Sequence, residues 1–596
     1  MASKETPDSF HIDPAVEPGS NDDVEAVVPH QGKYLDIGET HGFTSVLGEL
    51  PHGYYLSSRF LGSFAAMWFG LAAGVGLFSV ASPVLSTINQ DLGPSDNYAW
   101  IAIAYTLSMA VGQAFVGRLS DILGRRYIFI VGAIFALVGA IVVATAHSIN
   151  TVIGGMVLGG LGAASQLSYS FALGELVPMK HRFLAIGILF LAILPMSGFG
   201  PAIANAAILH TAAKWRTSFY VVAGVDGVSL ALYICFYHPP SLREKQGAKQ
   251  LVALLKELDY VGAFLFTAAI VLFLMGISWG GGLYAWKSAQ VITTIIIGFL
   301  VGAAFVLWEI YASLKTPFLP LKLFLYKGFS GCVASLALGA GQFYGMSIVW
   351  PLMVKEFYSK GEALNGGYLA CLIALGYVAG QVSAGLLSRH IGKARIQVIM
   401  AFFFGGMFLG LVATCTPTSK SRALGLVFVA CYCIGWNEGV TTVLCTFAVH
   451  DQQDIGTAGG IAGSMRSLGG GILSTVYVAI LTNRLQSTVA RRVPAALVKA
   501  GLPLSSVPAW LAALTLGKGF GDVPGATPAI DLAGITSYEF ASMAAFRTVL
   551  LASIAFSGLG VIVNFFVANV DHKMTDGIAA TLMHDRTNEE KGKLDN

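Results

Sequence analysis

Fourteen stretches of this chain are each apolar over a length sufficient to cross a bilayer as a helix, which takes about 20 residues. They lie near 60–85, 97–117, 126–146, 150–173, 183–207, 217–236, 260–280, 289–312, 328–351, 366–387, 395–414, 422–446, 457–481 and 546–568. Composition agrees: 55% of residues are hydrophobic and 12% charged, against about 25% charged in a soluble domain. The 70 glycines would weaken soluble helices, but in lipid small residues let neighbouring helices approach closely. The fold class expected is an all-α polytopic membrane protein of about fourteen helices.

The remaining segments divide the chain. Residues 1–58 are polar and acidic and read as a disordered cytosolic tail. Residues 59–237 hold six helices, and 238–259 form a charged, amphipathic linker suited to the membrane surface. Residues 260–312 hold two further helices, 313–570 hold six more with a long loop at 482–545, and 571–596 form a second polar tail. With the N-terminal tail inside, Arg118, Arg125, Arg126, Lys180, Arg182, Lys393 and Arg395 fall on the cytosolic side, in keeping with the positive-inside rule. Net charge is only +3 and the basic residues are dispersed, so nothing marks a nucleic-acid partner. The seven cysteines lack metal-ligand spacing, and neither metal nor cofactor is implied.

After the second helix the chain reads GRLSDILGRR, Gly117 to Arg126; after the tenth it reads GLLSRHIGKA, Gly385 to Ala394. Gly, Leu, Ser and Gly coincide without gaps. If helices seven and eight are an insertion, these segments occupy the same place in two pseudo-repeated six-helix halves, as internal repeats in transporters do. Gly117 and Gly124 permit a tight turn and close helix approach. Asp121, with Arg125 and Arg126 nearby, would make the loop a latch between inward- and outward-facing states.

The Gly117–Arg126 segment resembles the signature loop of the major facilitator superfamily, and the helix count resembles its fourteen-helix drug:proton antiporter branch. Ser197-Gly198-Phe199-Gly200-Pro201 in helix five resembles the Gly-Pro motif of that superfamily's antiporters. Trp215-Arg216 opening helix six and Arg466-Ser-Leu-Gly469-Gly470 in helix thirteen are similar to the same branch. The stretch from Ala172 to Arg182, with Tyr237-His238-Pro239-Pro240, resembles the fungal trichothecene efflux pump family, a relative of the fungal siderophore-iron transporters. The resemblance implies proton-coupled export of a hydrophobic secondary metabolite, toxin or drug. Its partners would be a small-molecule substrate, protons and the lipid bilayer, with a monomer as default and the plasma membrane ahead of vacuolar or vesicular membranes. Two departures stand out. Met156 replaces the Arg usual in helix four of the antiporters, and Gly74 falls where the fourteen-helix branch often has Asp.

Ionisable groups inside a bilayer cost several kcal/mol unless paired or wetted, so each is a functional candidate. Asp226 in helix six, Glu438 in helix twelve and Arg466 in helix thirteen are the candidates for coupling. Glu438 with Arg466 would form a carboxylate that loads and unloads a proton beside a cation, or a static ion pair. Asp226, flanked by Gly224 and Gly227, suits tight helix packing. Gln113, Gln166, Tyr169, Gln342, Tyr344, Tyr377 and Gln381 would orient a ligand in an apolar cavity, or bond adjacent helices. Siderophore-iron uptake and a transport-dead receptor remain as alternatives; an enzyme is not expected, because the twelve histidines show no partner pattern.

Overall fold

The computed structural model describes residues 54–567, apart from 94, 96, 99, 240–257, 281–283, 313, 315, 316, 360, 449–454, 517 and 518. Both expected tails beyond those limits, and most of the expected surface linker, lie outside the described residues. Tyr54–Leu56 is ordered where a disordered tail was expected: it forms a helical turn, and the Tyr54 hydroxyl donates to the Leu176 carbonyl at 3.2 Å. The phenol is buried, which anchors the chain just before the first helix.

Twelve helices among the described residues are long and apolar enough to cross a membrane. Counting apolar segments in chain order, spans 1 to 3 are Ser58–Leu92, Trp100–Leu123 and Arg125–Ala144, and span 6 is Arg216–Phe236. Spans 7 and 8 are Tyr260–Trp279 and Ala289–Tyr311, span 9 is Lys327–Phe357, and span 10 is Leu364–Ile391. Spans 11 to 14 are Ala394–Val412, Lys420–Phe447, Ile455–Lys499 and Pro528–Asn564.

The fourth and fifth segments are also helical, but broken. Span 4 is Ile149–Gln166 followed by Tyr169–Leu176. At its break, the Ser168 hydroxyl donates to the Ala164 carbonyl at 2.7 Å, a local bond that competes with the helical ladder. Span 5 runs through Arg182–Phe190, a π-helical turn at Leu194–Gly198 that holds Pro195, and Gly200–His210 with Pro201 in its first turn. Pro195 has no N–H to donate, so the ladder must reorganise there. Span 1 kinks similarly at Ser82–Val84, around Pro83. Ser79 and Ser197 share a hydrogen bond of 2.8 Å beside these two kinks.

The two halves pack alike. Within the first, span 1 lies on span 6, span 2 on span 4, and span 3 on spans 4 and 6. In the second, span 9 lies on span 14, span 10 on span 12, and span 11 on spans 12 and 14. The halves meet where span 2 crosses span 13 and span 5 crosses span 10, the same exchange viewed from either side. Spans 7 and 8 pack on each other, with span 7 touching spans 2 and 13. Only 33% and 22% of their apolar windows are buried, so most of their side chains are left to lipid. Phe264 and Phe299 are about 70% exposed at 71% and 70%.

Residues 482–545 are not a loop but mostly helix. Span 13 continues to Lys499, Val507–Leu516 forms a separate helix, and span 14 starts at Pro528. Leu485, Val489, Val493 and Leu497 recur at four-residue intervals, a helical face that the low overall hydropathy conceals. This region has its own apolar core around Val493, Leu497, Trp510 and Ile530. Trp510 donates its indole N–H to Asp531 Oδ1 at 2.8 Å, and Gly501 and Gly525 make the turns at positive φ.

Candidate functional site

The two repeated segments sit at corresponding crossings. Gly117 is within span 2, not in a turn, and a Cβ there would lie 2.8 Å from Gly460 Cα in span 13. Gly385 is within span 10, and a Cβ on Gly187 of span 5 would lie 2.8 Å from its Cα. The turns come seven residues later. Gly124 has φ 92° and Gly392 has φ 65°, a region only glycine enters without cost. Arg125 is buried at the start of span 3, and Arg126 donates to the Ile234 carbonyl of span 6 at 2.9 Å. The backbone of Asp121 is in the last turn of span 2; its side chain lies outside the described residues.

Between the halves is a cavity lined from both of them. The first half contributes Leu71, Val75, Gln113, Tyr169, Phe190 and Ile193 to its wall; the second contributes Phe343, Tyr344, Tyr377, Gln381, Glu438 and Arg466. Halves touch at both ends of it. At the basic end, besides the glycine crossings, Arg182 donates to Thr446 Oγ1 at 3.3 Å and Phe183 meets Phe447 edge-on. At the other, Phe78 meets Tyr344 edge-on, and a Cβ on Gly367 would lie 3.1 Å from the Pro201 carbonyl.

Glu438 is 1% exposed. Its Oε1 accepts from Arg466 Nε at 2.7 Å and lies 2.7 Å from Nη2 in the same ion pair, and its Oε2 accepts from the Tyr377 hydroxyl. A donor on each oxygen and a guanidinium alongside suit the charged form. Tyr377 is oriented by stacking on Phe343, ring centroids 3.9 Å apart. Arg466 lies 5.8 Å from the Tyr344 ring centroid, a cation–π distance. So spans 9, 10, 12 and 13 jointly fix this cluster.

The other candidates separate. Gln166 and Asp226 are absent from the wall and bond each other, Nε2 to Oδ1 at 2.6 Å, tying span 4 to span 6. A Cβ on Gly74 would lie 2.7 Å from Gln166 Oε1, so the space an Asp at that position would need is taken by the glutamine. Gln342 also points away, donating to Ser557 of span 14 at 2.8 Å. Gln113 faces span 13, where the Ser467 hydroxyl donates to its Oε1 at 2.5 Å. Of the antiporter-like motif, Gly200 permits span 5 to approach Ser79 in span 1, and Gly198 lies against Leu375 of span 10. Pro201 opens the last helix of span 5. Sequence reasoning missed Ser467 and Phe343. The first adjoins Arg466 and so was within reach; the second is one more Phe in an apolar run.

The family model described as fungal trichothecene efflux pump (TRI12) matches residues 36–596. The chain belongs to that family. It is similar to the trichothecene efflux pump TRI12 of Fusarium sporotrichioides, 28% identical over 585 residues that cover 96% of each chain. It is also similar to the trichothecene efflux pump TRI12 of Trichoderma arundinaceum, 30% identical over 488 residues that cover 80% of each. Among solved structures it shares its fold with the proton:xylose symporter XylE, at a TM-score of 0.53 and 16% identity, covering 88% of this chain and 98% of the other. This member of the trichothecene efflux pump family is therefore a multi-pass membrane transporter of the major facilitator fold, and its cavity lies at the interface of the halves, where such folds bind small molecules.

Proposed function

We propose that this chain exports an apolar secondary metabolite by proton antiport, with the plasma membrane as its site of action. The observation that carries this reading is the cavity between the halves, with apolar and aromatic walls and one ion pair, Glu438 with Arg466. Trichothecenes, named for the relatives above, belong to the cargo class that such walls suit. An anionic cargo would want convergent free cations, whereas Arg466 is already neutralised by Glu438.

In the proposed cycle, Glu438 carries the proton. As a carboxylate it holds Arg466 and Tyr377. Protonated, it becomes a donor and loses its charge attraction for the guanidinium, so the link between spans 12 and 13 loosens as the proton loads. Arg466 then turns to the cavity and to cargo. The repeated glycine crossings are the proposed hinge surfaces, since they let helices of opposite halves slide at backbone contact.

The test uses yeast lacking its own broad exporters. Cells expressing the chain should accumulate less of a lipophilic fungal toxin, and a protonophore should abolish the difference. Increased ferri-siderophore accumulation with toxins unaffected would make the chain an importer instead. Ligand binding without transport would make it a receptor.

A further inference from the structure

Spans 7 and 8 belong to neither repeated half, and the cycle above gives them no part. Span 7 packs on spans 2 and 13, the two helices of one inter-half crossing, and a Cβ on Gly471 of span 13 would lie 3.4 Å from Leu274 of span 7. The chain leaving span 8 reads Pro317-Phe318-Leu319-Pro320, with Phe318 and Leu319 buried. The Phe318 ring centroid lies 4.9 Å from that of Phe115 in span 2, two residues before Gly117, and 5.6 Å from that of Phe266 in span 7. The Leu319 N–H donates to Glu309 Oε1 of span 8 at 2.8 Å, which fixes the backbone beside the ring. Each proline sets its own φ and restricts the residue before it, so this stretch is stiff.

Six residues after Phe318 the same connector is fastened to the second half. In the helical turn Lys322–Leu325, the Phe324 ring centroid lies 5.9 Å from that of Phe329, and the Phe324 carbonyl accepts from the Ser330 hydroxyl at 2.6 Å. Both partners are in span 9, which packs along span 13. One short segment is thus anchored on span 2 of the first half and on span 9 of the second, beside the contact of Gly117 with Gly460. Phe115 and Phe329 separate when the halves part at that end. The connector gains length only by unwinding its helical turn or by withdrawing Phe318, because a helix rises only about 1.5 Å per residue and an extended chain about 3.3–3.6 Å.

We infer that residues 317–325 are a strap across this crossing, which holds the basic end of the cavity closed and is released when Phe318 withdraws from Phe115. The inference rests on the reading of the glycine crossings as the surfaces that move. Spans 7 and 8 supply the frame of the strap. Phe266 packs against Phe305 of span 8 as well as Phe318, with ring centroids 5.4 Å apart. Asp259 Oδ1, just before span 7, accepts from the Gly262 N–H at 2.8 Å and from the Trp308 indole of span 8 at 3.0 Å. A pair of helices left mostly to lipid is what such a frame requires, since its work is done along one edge.

Cys445 reports the state of the basic end, which the positive-inside rule places in the cytosol. It is buried, lines the cavity and precedes Thr446, the residue that accepts from Arg182 of the first half. The experiment measures how fast a membrane-impermeant maleimide labels Cys445 in inside-out vesicles from exporter-deficient yeast expressing the full chain, taken as the labelling that Cys445→Ser removes. Phe318→Ala and Phe115→Ala should each raise that rate by about tenfold at matched membrane abundance, a factor within reach of one buried aromatic contact. Glu309→Leu, which frees the Leu319 N–H, should act in the same direction. Gly117→Val, which wedges the crossing directly, should also raise labelling, and Phe264→Ala, on the lipid face of span 7, should leave it unchanged. A rise in Gly117→Val with none in the three strap variants overturns the strap and leaves the moving crossing standing. A rise in Phe264→Ala equal to that in Phe318→Ala assigns the effect to the packing of the inserted pair and also overturns the strap. Unchanged labelling in every variant, Gly117→Val included, overturns the reading of the crossings as moving surfaces.

Discussion

Arg466 places both Nε and Nη2 on a single oxygen of Glu438, at 2.7 Å each, so the second oxygen is left to Tyr377. The pair is more than a neutral plug, because its third member sits on a different helix and its cation faces the cavity. Removing one partner leaves a buried charge without its complement, which costs about 3–5 kcal/mol, whereas replacing both with apolar groups is often neutral or stabilising. Arg466→Leu should therefore melt well below wild type in detergent, and Glu438→Leu/Arg466→Leu should melt near it. Equal melting of Arg466→Leu and wild type would show that Glu438 finds another partner.

Tyr377→Phe keeps the ring that stacks on Phe343 and removes only the hydroxyl on Glu438. One hydrogen bond to a charged group is worth about 1.5–3 kcal/mol. Transport should fall by about tenfold or more with membrane abundance unchanged, as read by toxin efflux from cells. Wild-type efflux would remove Tyr377 from the working cluster.

Asp226 is a contrasting carboxylate. It has Gln166 as hydrogen-bond partner and does not line the cavity. Asp226→Asn retains an oxygen for Gln166 Nε2, so efflux should remain within about twofold of wild type, a bond inside the membrane averaging about 0.6 kcal/mol. Loss of protonophore sensitivity in Asp226→Asn would move the coupling site to span 6.

The difference between these carboxylates shows where sequence reasoning ends. That each polar residue of an apolar helix needs a partner follows from lipid alone. Which partner depends on the rotation of the helix, and that is set by neighbours far away in the chain. Gln113 and Gln381 reach the cavity, while Gln166 and Gln342, chosen by the same reasoning, bond Asp226 and Ser557. The spans themselves were legible because each apolar run is long. The break of span 5 could be anticipated from Pro195; that of span 4 at Ser168 could not, since serine is also tolerated in unbroken helices. Residues 482–545 were misread because helices that pack on one another outside lipid need only one apolar face.

That outer region has a core separate from the main one. Trp510 is fully buried there and bonded to Asp531. Trp510→Ala should cost about 3–5 kcal/mol, and the loss should stay local. Limited proteolysis should cut between residues 483 and 545 while the membrane bundle remains intact. Resistance equal to wild type would show that this core does not hold the segment.

Gly117→Val and Gly385→Val should each reduce efflux by an order of magnitude or more without loss of abundance, since a side chain at either crossing meets the opposing backbone at 2.8 Å or less. Near-normal efflux in both would remove the crossings from the transport cycle.

Proton coupling through Glu438 is tested most directly in proteoliposomes with an imposed pH gradient, comparing wild type with Glu438→Gln for gradient-driven toxin accumulation and for toxin exchange without a gradient. The account predicts that wild type does both and that Glu438→Gln exchanges toxin but no longer responds to the gradient. A Glu438→Gln protein that still accumulates toxin in response to the gradient, or a wild type indifferent to it, would contradict it.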